Sequence, residues 1–143
     1  MVSVGVHKKG DVSLAGLLEE IRGRPDAHRA GAIACFIGVV RGIGHNGSRV
    51  VKLEYEAHER LAEEELRRIA EEVASRPGVI DVSIHHNVDT MSPGDDILYV
   101  LVMGVHREDV FWGVQTAVEE LKKRAPIWKK EHTEGGSYWV SGR

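Results

Sequence analysis

Alternating hydrophobic and polar positions mark the strands that the chain is expected to form. Residues 2–6 and residues 51–57 alternate strictly, which predicts half-buried strands, because successive side chains of a strand point to opposite faces. Residues 32–40 form a continuous apolar run and predict a strand that is buried on both faces. Residues 79–88 predict a further strand, and residues 97–105, the most apolar stretch, predict a central one.

Apolar residues at helical spacing predict three helices. The first begins after Asp11 or Ser13 and ends at Gly23, and the second covers residues 58–75. The third covers residues 108–124 and ends before a proline. Its core stripe is expected to contain Val110, Phe111, Val114, Ala117, Val118 and Leu121.

Glycine and proline place the remaining turns and loops. After Pro126, residues 128–132 and 138–140 predict two short strands joined by a turn at residues 134–136. Residues 41–48 contain three glycines and an Asn-Gly pair, which predicts a mobile loop between antiparallel strands.

The pattern contains no linker or internal repeat, so residues 1–143 are expected to form a single domain. A chain of this length that is 42% hydrophobic can bury a substantial core. The order of the elements predicts an α+β fold, with a mainly antiparallel sheet and helices packed on it.

The chain is expected to be soluble and cytoplasmic. Residues 1–10 lack the apolar segment of a signal peptide, and no apolar run reaches the length of a membrane span. Cys35, the single cysteine, excludes a disulfide within the chain and suits a reducing compartment. Because it lies inside an apolar run, Cys35 is interpreted as a small buried core residue.

A cationic segment at residues 121–131 stands out on a chain whose formal net charge is −3. Pro126 ends the last helix, so Lys122 lies on the final helical turn and Lys129 in the extended segment beyond it. Reversal of the chain would bring both ammonium groups to one place. A structural role stays open, because the helix macrodipole also favours cations at a helix C-terminus. The five cations are Lys122, Lys123, Arg124, Lys129 and Lys130.

Other cations lie at the ends of predicted strands. Arg41 follows one apolar strand, and His106-Arg107 connects another to the last helix, whose free N–H groups favour phosphate. Local positive charge on an acidic chain indicates a confined anionic ligand rather than general nucleic-acid binding. The eight histidines show no metal-binding spacing, so neither a metal nor a cofactor is expected.

A lysine at such a site acts either as a fixed charge or, when desolvated beside other cations, as a nucleophile or base. Lys122 lies beside the core stripe of the helix and is the better candidate for the desolvated role. Lys129, beyond the proline, suits the fixed charge.

Several of these residues together resemble one enzyme family. Residues 38–41, residues 106–107 and above all residues 121–131, with their Lys-x-Arg-Ala-Pro-x-Trp-Lys block, are similar to the catalytic (large) subunit of molybdopterin synthase. The resemblance covers nearly all of the chain from about residue 31 onward. Weaker matches are residues 53–55, 93–95 and 138–140.

The resemblance implies an α/β-hammerhead type of α+β fold and a homodimer at the centre of a heterotetramer. A ubiquitin-like sulfur carrier would insert its C-terminal Gly-Gly thiocarboxylate into each active site. Sulfur would pass to a pterin monophosphate, cyclic pyranopterin monophosphate (precursor Z), and two carriers would be consumed for each molybdopterin. No membrane and no nucleic acid take part.

The resemblance also assigns roles to individual residues. Lys122 is the expected catalytic lysine and Lys129 its partner. Arg41, His106 and Arg107 are expected to bind the pterin phosphate, and the resemblance implies that Arg41 reaches across the dimer into the neighbouring pocket. The chain ends at Arg143, so a C-terminal tail that contributes to carrier docking is not expected. The remaining substrate-binding candidates are Val39, Val40, Lys130 and Glu131.

Two other functions stay open. A regulatory module that binds an acidic peptide tail or a nucleotide would use the same cations without forming a product. A binder of single-stranded RNA would stack bases on Trp112, Trp128 and Trp139. The acidic net charge and the expected core position of Trp112 argue against RNA.

Overall fold

The computed structural model describes residues 1–140, which form eight β-strands, three α-helices and a short 3₁₀ helix. The expectation about the end of the chain at Arg143 concerns residues outside this range. In chain order the elements are β1 (Val2–His7), α1 (Leu14–Arg22), the 3₁₀ helix (Ala27–Arg29), β2 (Ala32–Val39), β3 (Val50–Ala57), α2 (Glu59–Ala74), β4 (Val79–Asn87), β5 (Thr90–Met91), β6 (Asp96–Gly104), α3 (Arg107–Arg124), β7 (Ile127–Thr133) and β8 (Gly136–Val140).

The strands form two sheets of four. The first has the order β1-β4-β6-β2 and the second the order β5-β3-β7-β8. Only the β1–β4 pair among these is parallel, so the predicted α+β fold with a mainly antiparallel sheet is confirmed. β6 is a central strand, as its apolar sequence predicted.

Capping side chains define the starts of α1 and α3, and a proline defines the end of α3. The Ser13 side chain accepts the Gly16 N–H at the start of α1, and Asp109 accepts the His106 N–H at the start of α3. Pro126 has no N–H to donate and disfavours helix at Ala125, which is extended there, so α3 ends at Arg124 as predicted. None of the helices in the described range is long and apolar enough to cross a membrane.

Two hydrophobic clusters lie on opposite faces of the first sheet. The larger one joins that sheet to α2, α3 and the inner face of the second sheet, and the smaller one lies under α1. Leu66 and Ile69 of α2 are fully buried in the larger cluster. Burial of such side chains stabilises the fold by roughly 1.5–3 kcal/mol each.

The prediction that β2 is buried on both faces is wrong. β2 lies at the edge of the first sheet and exposes every second residue from Cys35 onward, so Cys35 is not a core residue. Phe111, expected in the core stripe of α3, is 64% exposed, and Trp112 is 37% exposed beneath the guanidinium of Arg76. An apolar sequence cannot distinguish a face covered by its own chain from one that is left uncovered.

The loop at residues 41–48 differs from its prediction in one respect. It connects β2 to β3, which belong to different sheets, rather than two strands that pair with each other. An isolated bridge between Ile43 and Arg49 closes its base. Gly47 has a φ of 81°, a left-handed conformation that glycine adopts without strain.

Candidate functional site

A pocket of about 1010 Å³ opens where the end of β2, the end of α3 and the start of β7 meet. Three of its lining residues are Arg41, Lys122 and Lys129, so the structure brings these predicted site residues together. Val39 also lines the pocket, as the sequence predicted. Most of the remaining wall is apolar or aromatic and includes Phe36, Ile97, Leu98, Leu121, Ile127, Trp128 and Trp139.

The reversal at Pro126 places the two lysines. Ala125 N–H still donates to Leu121 at 3.0 Å, whereas the Pro126 carbonyl accepts from His58 N–H at 3.3 Å. β7 then pairs with β3 and sets Lys129 directly opposite Tyr55. Lys122 on the last turn of α3 and Lys129 on β7 thereby line one cavity, as the sequence predicted.

Burial and positive charge act together on Lys129. Desolvation lowers the pKa of its ammonium group, and the charges of Lys122 and Arg41 lower it further, partly opposed by Glu131. Lys129 is half-buried, whereas Lys122, which was expected to be the more desolvated of the two, is exposed. Lys129 is therefore a partly desolvated cation in the pocket wall.

His86 and Tyr55 form part of the pocket wall and were not predicted as site residues. Their rings meet edge to face with centroids 5.4 Å apart. His86 Nδ1 lies 2.8 Å from the Asn87 carbonyl, so Nδ1 carries the hydrogen and Nε2 is the acceptor. The pKa of His86 is lowered to about 4, chiefly by burial. The hydrogen bond to the Asn87 carbonyl raises this pKa, whereas the charges of Lys122 and Lys129 lower it further. The imidazole is neutral at pH 7.

The signal for His86 lay in the alternation of β4. Val82, Ile84 and His86 share one face of that strand, which faces the larger core cluster. A histidine that continues an apolar face suggests a buried imidazole. Nothing in the sequence linked it to the lysine segment, which pairs with β3 rather than β4.

Arg124 belongs to a different part of the structure from the pocket. Its Nε lies 2.7 Å from a Glu65 carboxylate oxygen and its Nη1 lies 2.6 Å from Glu72. Both carboxylates lie on α2, so Arg124 connects the end of α3 to that helix. The hydrogen bonds from Glu72 and Glu65 raise the pKa of Arg124 above its ordinary value.

Five of the predicted substrate-binding residues do not line the pocket of their own chain, and three of these are Val40, Lys130 and Glu131. Val40 is buried in the larger core cluster, and its backbone pairs with Gly94 and Asp95. Lys130 lies over the ring of Trp139, with 5.9 Å between Nζ and the ring centroid. The Glu131 carboxylate instead contacts the loop at residues 41–48.

The predicted pair His106-Arg107 lies at the other end of α3 from Lys122. Fifteen residues of helix separate Arg107 from Lys122, a distance of about 22 Å along the helix axis. Neither residue lines the pocket of its own chain. Arg41 does line the pocket of its own chain, so the implied reach across a dimer is not needed to bring it there.

The pocket suits a planar anionic ligand. Cations surround a partly desolvated space, and the exposed rings of Trp128 and Trp139 form its rim. Charge-assisted hydrogen bonds in such a space are stronger than in water. Within residues 1–140, no three histidine, cysteine or acidic side chains lie close enough together to hold a metal ion.

Comparison with known proteins agrees with this geometry. Residues 7–124 match the model of the family described as MoaE protein. The chain belongs to the MoaE family. It is 34% identical to the molybdopterin synthase catalytic subunit of Pyrococcus abyssi, over 87% of this chain and 84% of that protein.

Two further MoaE relatives extend the comparison. The chain is 37% identical to a probable molybdopterin synthase of Haloferax volcanii over 92% of its own length, but it spans only about half (51%) of that protein. The crystal structure of molybdopterin synthase from Staphylococcus aureus superposes with a TM-score of 0.83 at 30% identity, covering 96% of both chains. The resemblance read from the sequence is therefore confirmed, and MoaE membership makes the chain a sulfur-transferring enzyme of molybdopterin synthesis.

Proposed function

We propose that this chain is the catalytic subunit of molybdopterin synthase and that the pocket between its two sheets binds precursor Z. The observation that carries this proposal is the convergence of Arg41, Lys122 and Lys129 on one partly desolvated cavity. A cyclic pterin monophosphate is flat and anionic, which matches aromatic walls and cations. The cations would hold the phosphate and stabilise charge that develops during sulfur transfer.

Each sulfur is donated by the thiocarboxylate of a small carrier protein. The sulfur atom bonds to a carbon of the pterin side chain while an oxygen substituent of that carbon leaves, the carrier's acyl–sulfur bond breaks, and water adds to the acyl group and returns the carrier as a carboxylate. Two such transfers, from two carriers, give the dithiolene of molybdopterin. Lys122 assists bond cleavage, while Lys129 and Arg41 hold the anionic groups. Relatives named catalytic subunits imply a second kind of subunit, and the carrier fills that role.

A homodimer would bring His106 and Arg107 to a pocket. β2 is an edge strand that exposes Val39 (48%), and the nearby Phe111 on α3 is 64% exposed. The start of α3 lies beside the start of β2, whereas the pocket lies at the end of β2. A two-fold axis across β2 places the start of one copy's β2 beside the end of the other's. The second copy would then supply His106 and Arg107 to this pocket.

The proposal also includes the expected cellular compartment and the expected single domain. The activity belongs in a reducing cytoplasm, since Cys35 is an exposed free thiol. The single-domain prediction for residues 1–143 is supported by the larger core, which draws on both sheets.

Reconstitution tests the proposal directly. The purified chain is mixed with a thiocarboxylated carrier and cyclic pyranopterin monophosphate, and the pterin products are followed by mass spectrometry. We expect a doubly sulfurated pterin. A stable carrier complex without product would favour the regulatory binding module, and strong salt-dependent binding of an oligonucleotide would favour the RNA binder.

A further inference from the structure

Glu131 receives hydrogen bonds from three donors on the far side of the pocket wall. The His45 N–H lies 2.8 Å from Oε1, the His45 ring Nδ1 lies 3.2 Å from Oε2, and the Tyr138 hydroxyl also bonds Oε1. Burial by itself would raise the pKa of Glu131. The hydrogen bonds from Tyr138 and His45 outweigh that effect and hold the pKa below its ordinary value. Glu131 is therefore an ionised, buried acceptor.

The carboxylate fixes which nitrogen of His45 carries a hydrogen. A carboxylate only accepts, so the His45 Nδ1 that faces Oε2 must donate. In the neutral ring Nε2 is then an acceptor. Nη2 of Arg41 lies 3.4 Å from Nε2 and 3.5 Å from Nδ1 of the same ring. The guanidinium therefore lies against the imidazole ring as a whole, and the ring that Glu131 holds in place limits where Arg41 can lie.

Tyr138 anchors the loop from a second side. Its hydroxyl accepts the Asn46 N–H at 3.0 Å while it donates to Glu131. The Asn46 side chain also donates to the Thr133 hydroxyl at 2.9 Å. Strands β7 and β8 thus hold the backbone of residues 45 and 46, and through His45 they hold a cation that lines the pocket.

We propose that Tyr138, Glu131 and His45 are positioning residues that orient Arg41 toward the bound substrate. The set Tyr138–Glu131–His45 is called here the Arg41 anchor. This inference rests on the proposed function, since it assumes that Arg41 binds the anionic substrate. In this proposal Glu131 does not contact the substrate directly but acts on it through Arg41. His45 and Tyr138 take part in the same positioning of Arg41.

A double-mutant cycle between Tyr138→Phe and Arg41→Ala tests the anchor. With saturating carrier, we expect Tyr138→Phe to raise the KM for the pterin about 5-fold with little change in kcat, as loss of one hydrogen bond would. In the Arg41→Ala background, the same change should add nothing. An equal effect in both backgrounds, or none in the wild-type background, would overturn the anchor.

A matched control comes from the opposite face of the first sheet. The Tyr99 hydroxyl donates to Asp96 at 2.7 Å, a tyrosine–carboxylate bond of the same kind that lies in the smaller core cluster. Tyr99→Phe should therefore leave the pterin KM unchanged. If it raises KM as much as Tyr138→Phe does, the effect belongs to the fold in general and the anchor is refuted.

A measurement without turnover separates this inference from the proposed function. Long-range ¹⁵N–¹H correlation should show His45 as the Nδ1–H tautomer in the wild-type chain and as the Nε2–H tautomer in Glu131→Gln, whose amide can donate toward Nδ1. An Nε2–H ring in the wild-type chain would refute the anchor. A normal KM in Arg41→Ala, with the expected tautomers, would instead refute the role of Arg41 in substrate binding.

Discussion

Arg124 and Lys129 come from the same cationic segment and experience opposite environments. Arg124 meets two carboxylates of α2, and its pKa is raised. Lys129 is half-buried beside Lys122 and Arg41, and its pKa is lowered. Arg124, whose charge is neutralised by carboxylates, joins two helices. Lys129, which is desolvated, gains its full interaction energy only when an anion enters the pocket.

The comparison shows that a run of like charges need not have one role. Glu65 and Glu72 lie more than fifty residues before Arg124 in the chain, and only the packing of α2 against α3 brings them close. Pairing with these carboxylates distinguishes a structural cation from a pocket cation. The predictions below test that division, beginning with the largest expected effect.

Removal of a pocket lysine should cost far more activity than removal of Arg124. We expect Lys122→Ala and Lys129→Ala to lower turnover by about 100-fold or more, as loss of a group that stabilises developing charge does. Arg124→Ala should stay within about twofold, since Arg124 does not line the pocket. Turnover is measured with the purified carrier at a temperature where all variants are folded. Normal turnover of Lys122→Ala would contradict the assigned role.

Acid should destabilise the fold through two neighbouring histidines on opposite faces of β4. The pKa values of His85 and His86 are each lowered to about 4, chiefly by burial. The charge of His7 lowers the pKa of His85 further, and the charges of the pocket lysines lower the pKa of His86 further. The unfolded chain therefore binds more protons, and stability falls as pH drops from about 6.5 toward 4. The loss at pH 5 is roughly 2 kcal/mol per histidine.

Urea unfolding at pH 7 and pH 5 measures this loss for each histidine separately. His86→Asn should reduce the difference between the two pH values. Lys129→Ala should also reduce it, since the pKa of His86 would rise. In the His85→Asn background, Lys129→Ala should still reduce the pH dependence of stability. The reason is that Lys129 acts on His86, which lies on the opposite face of β4 from His85. If Lys129→Ala leaves the pH dependence unchanged, the charge coupling between Lys129 and His86 is refuted.

Arg124 and Lys129 should differ in their effect on the stability of the fold at neutral pH. Arg124→Ala should lower the free energy of unfolding by about 1 kcal/mol, a modest value because the ion pairs are partly exposed. Lys129→Ala should leave stability unchanged or slightly higher, because it removes a desolvated cation beside other cations. Urea titration at pH 7 checks both variants. A larger loss for Lys129→Ala than for Arg124→Ala would reverse the division.

The smallest expected effect is stabilisation by a simple anion. Inorganic pyrophosphate at a concentration near its Kd should raise Tm by about 1–2 °C. Sodium chloride at matched ionic strength is the control, because it screens charges without filling the pocket. The rise should disappear in Lys129→Ala and persist in Arg124→Ala. Equal rises in all three chains would mean that pyrophosphate binds elsewhere.

The sequence predicted the parts of the site that depend on local chemistry. Pro126 fixed the end of α3, and the spacing around it placed Lys122 and Lys129 on elements that meet. Arg41 was correctly expected at the same site from its position at the end of β2. The helices and most strands followed from periodicity and capping residues.

Features that depend on distant packing were beyond the sequence. The apolar run of β2 matched a doubly buried strand, but only the sheet order shows that it is an edge. Lys129 is half-buried because β7 pairs with β3. Glu131 was expected to face the substrate, yet the loop after β2 covers its carboxylate. The depth of His86 required the second sheet to pack against the first.

Pro126 has a consequence for how the site assembles during folding. The two pocket lysines are seven residues apart, so bringing them near each other requires the closure of only a short local segment, and the pairing of β7 with β3 then fixes the position of Lys129. Arg41 joins them only when the sheets come together over more than eighty residues of chain. We therefore expect the lysine pair to form early and the complete anion site to appear last. A one-residue insertion between residues 123 and 128 would destroy that early pairing, whereas the same insertion in the turn at residues 134–136 would leave it intact.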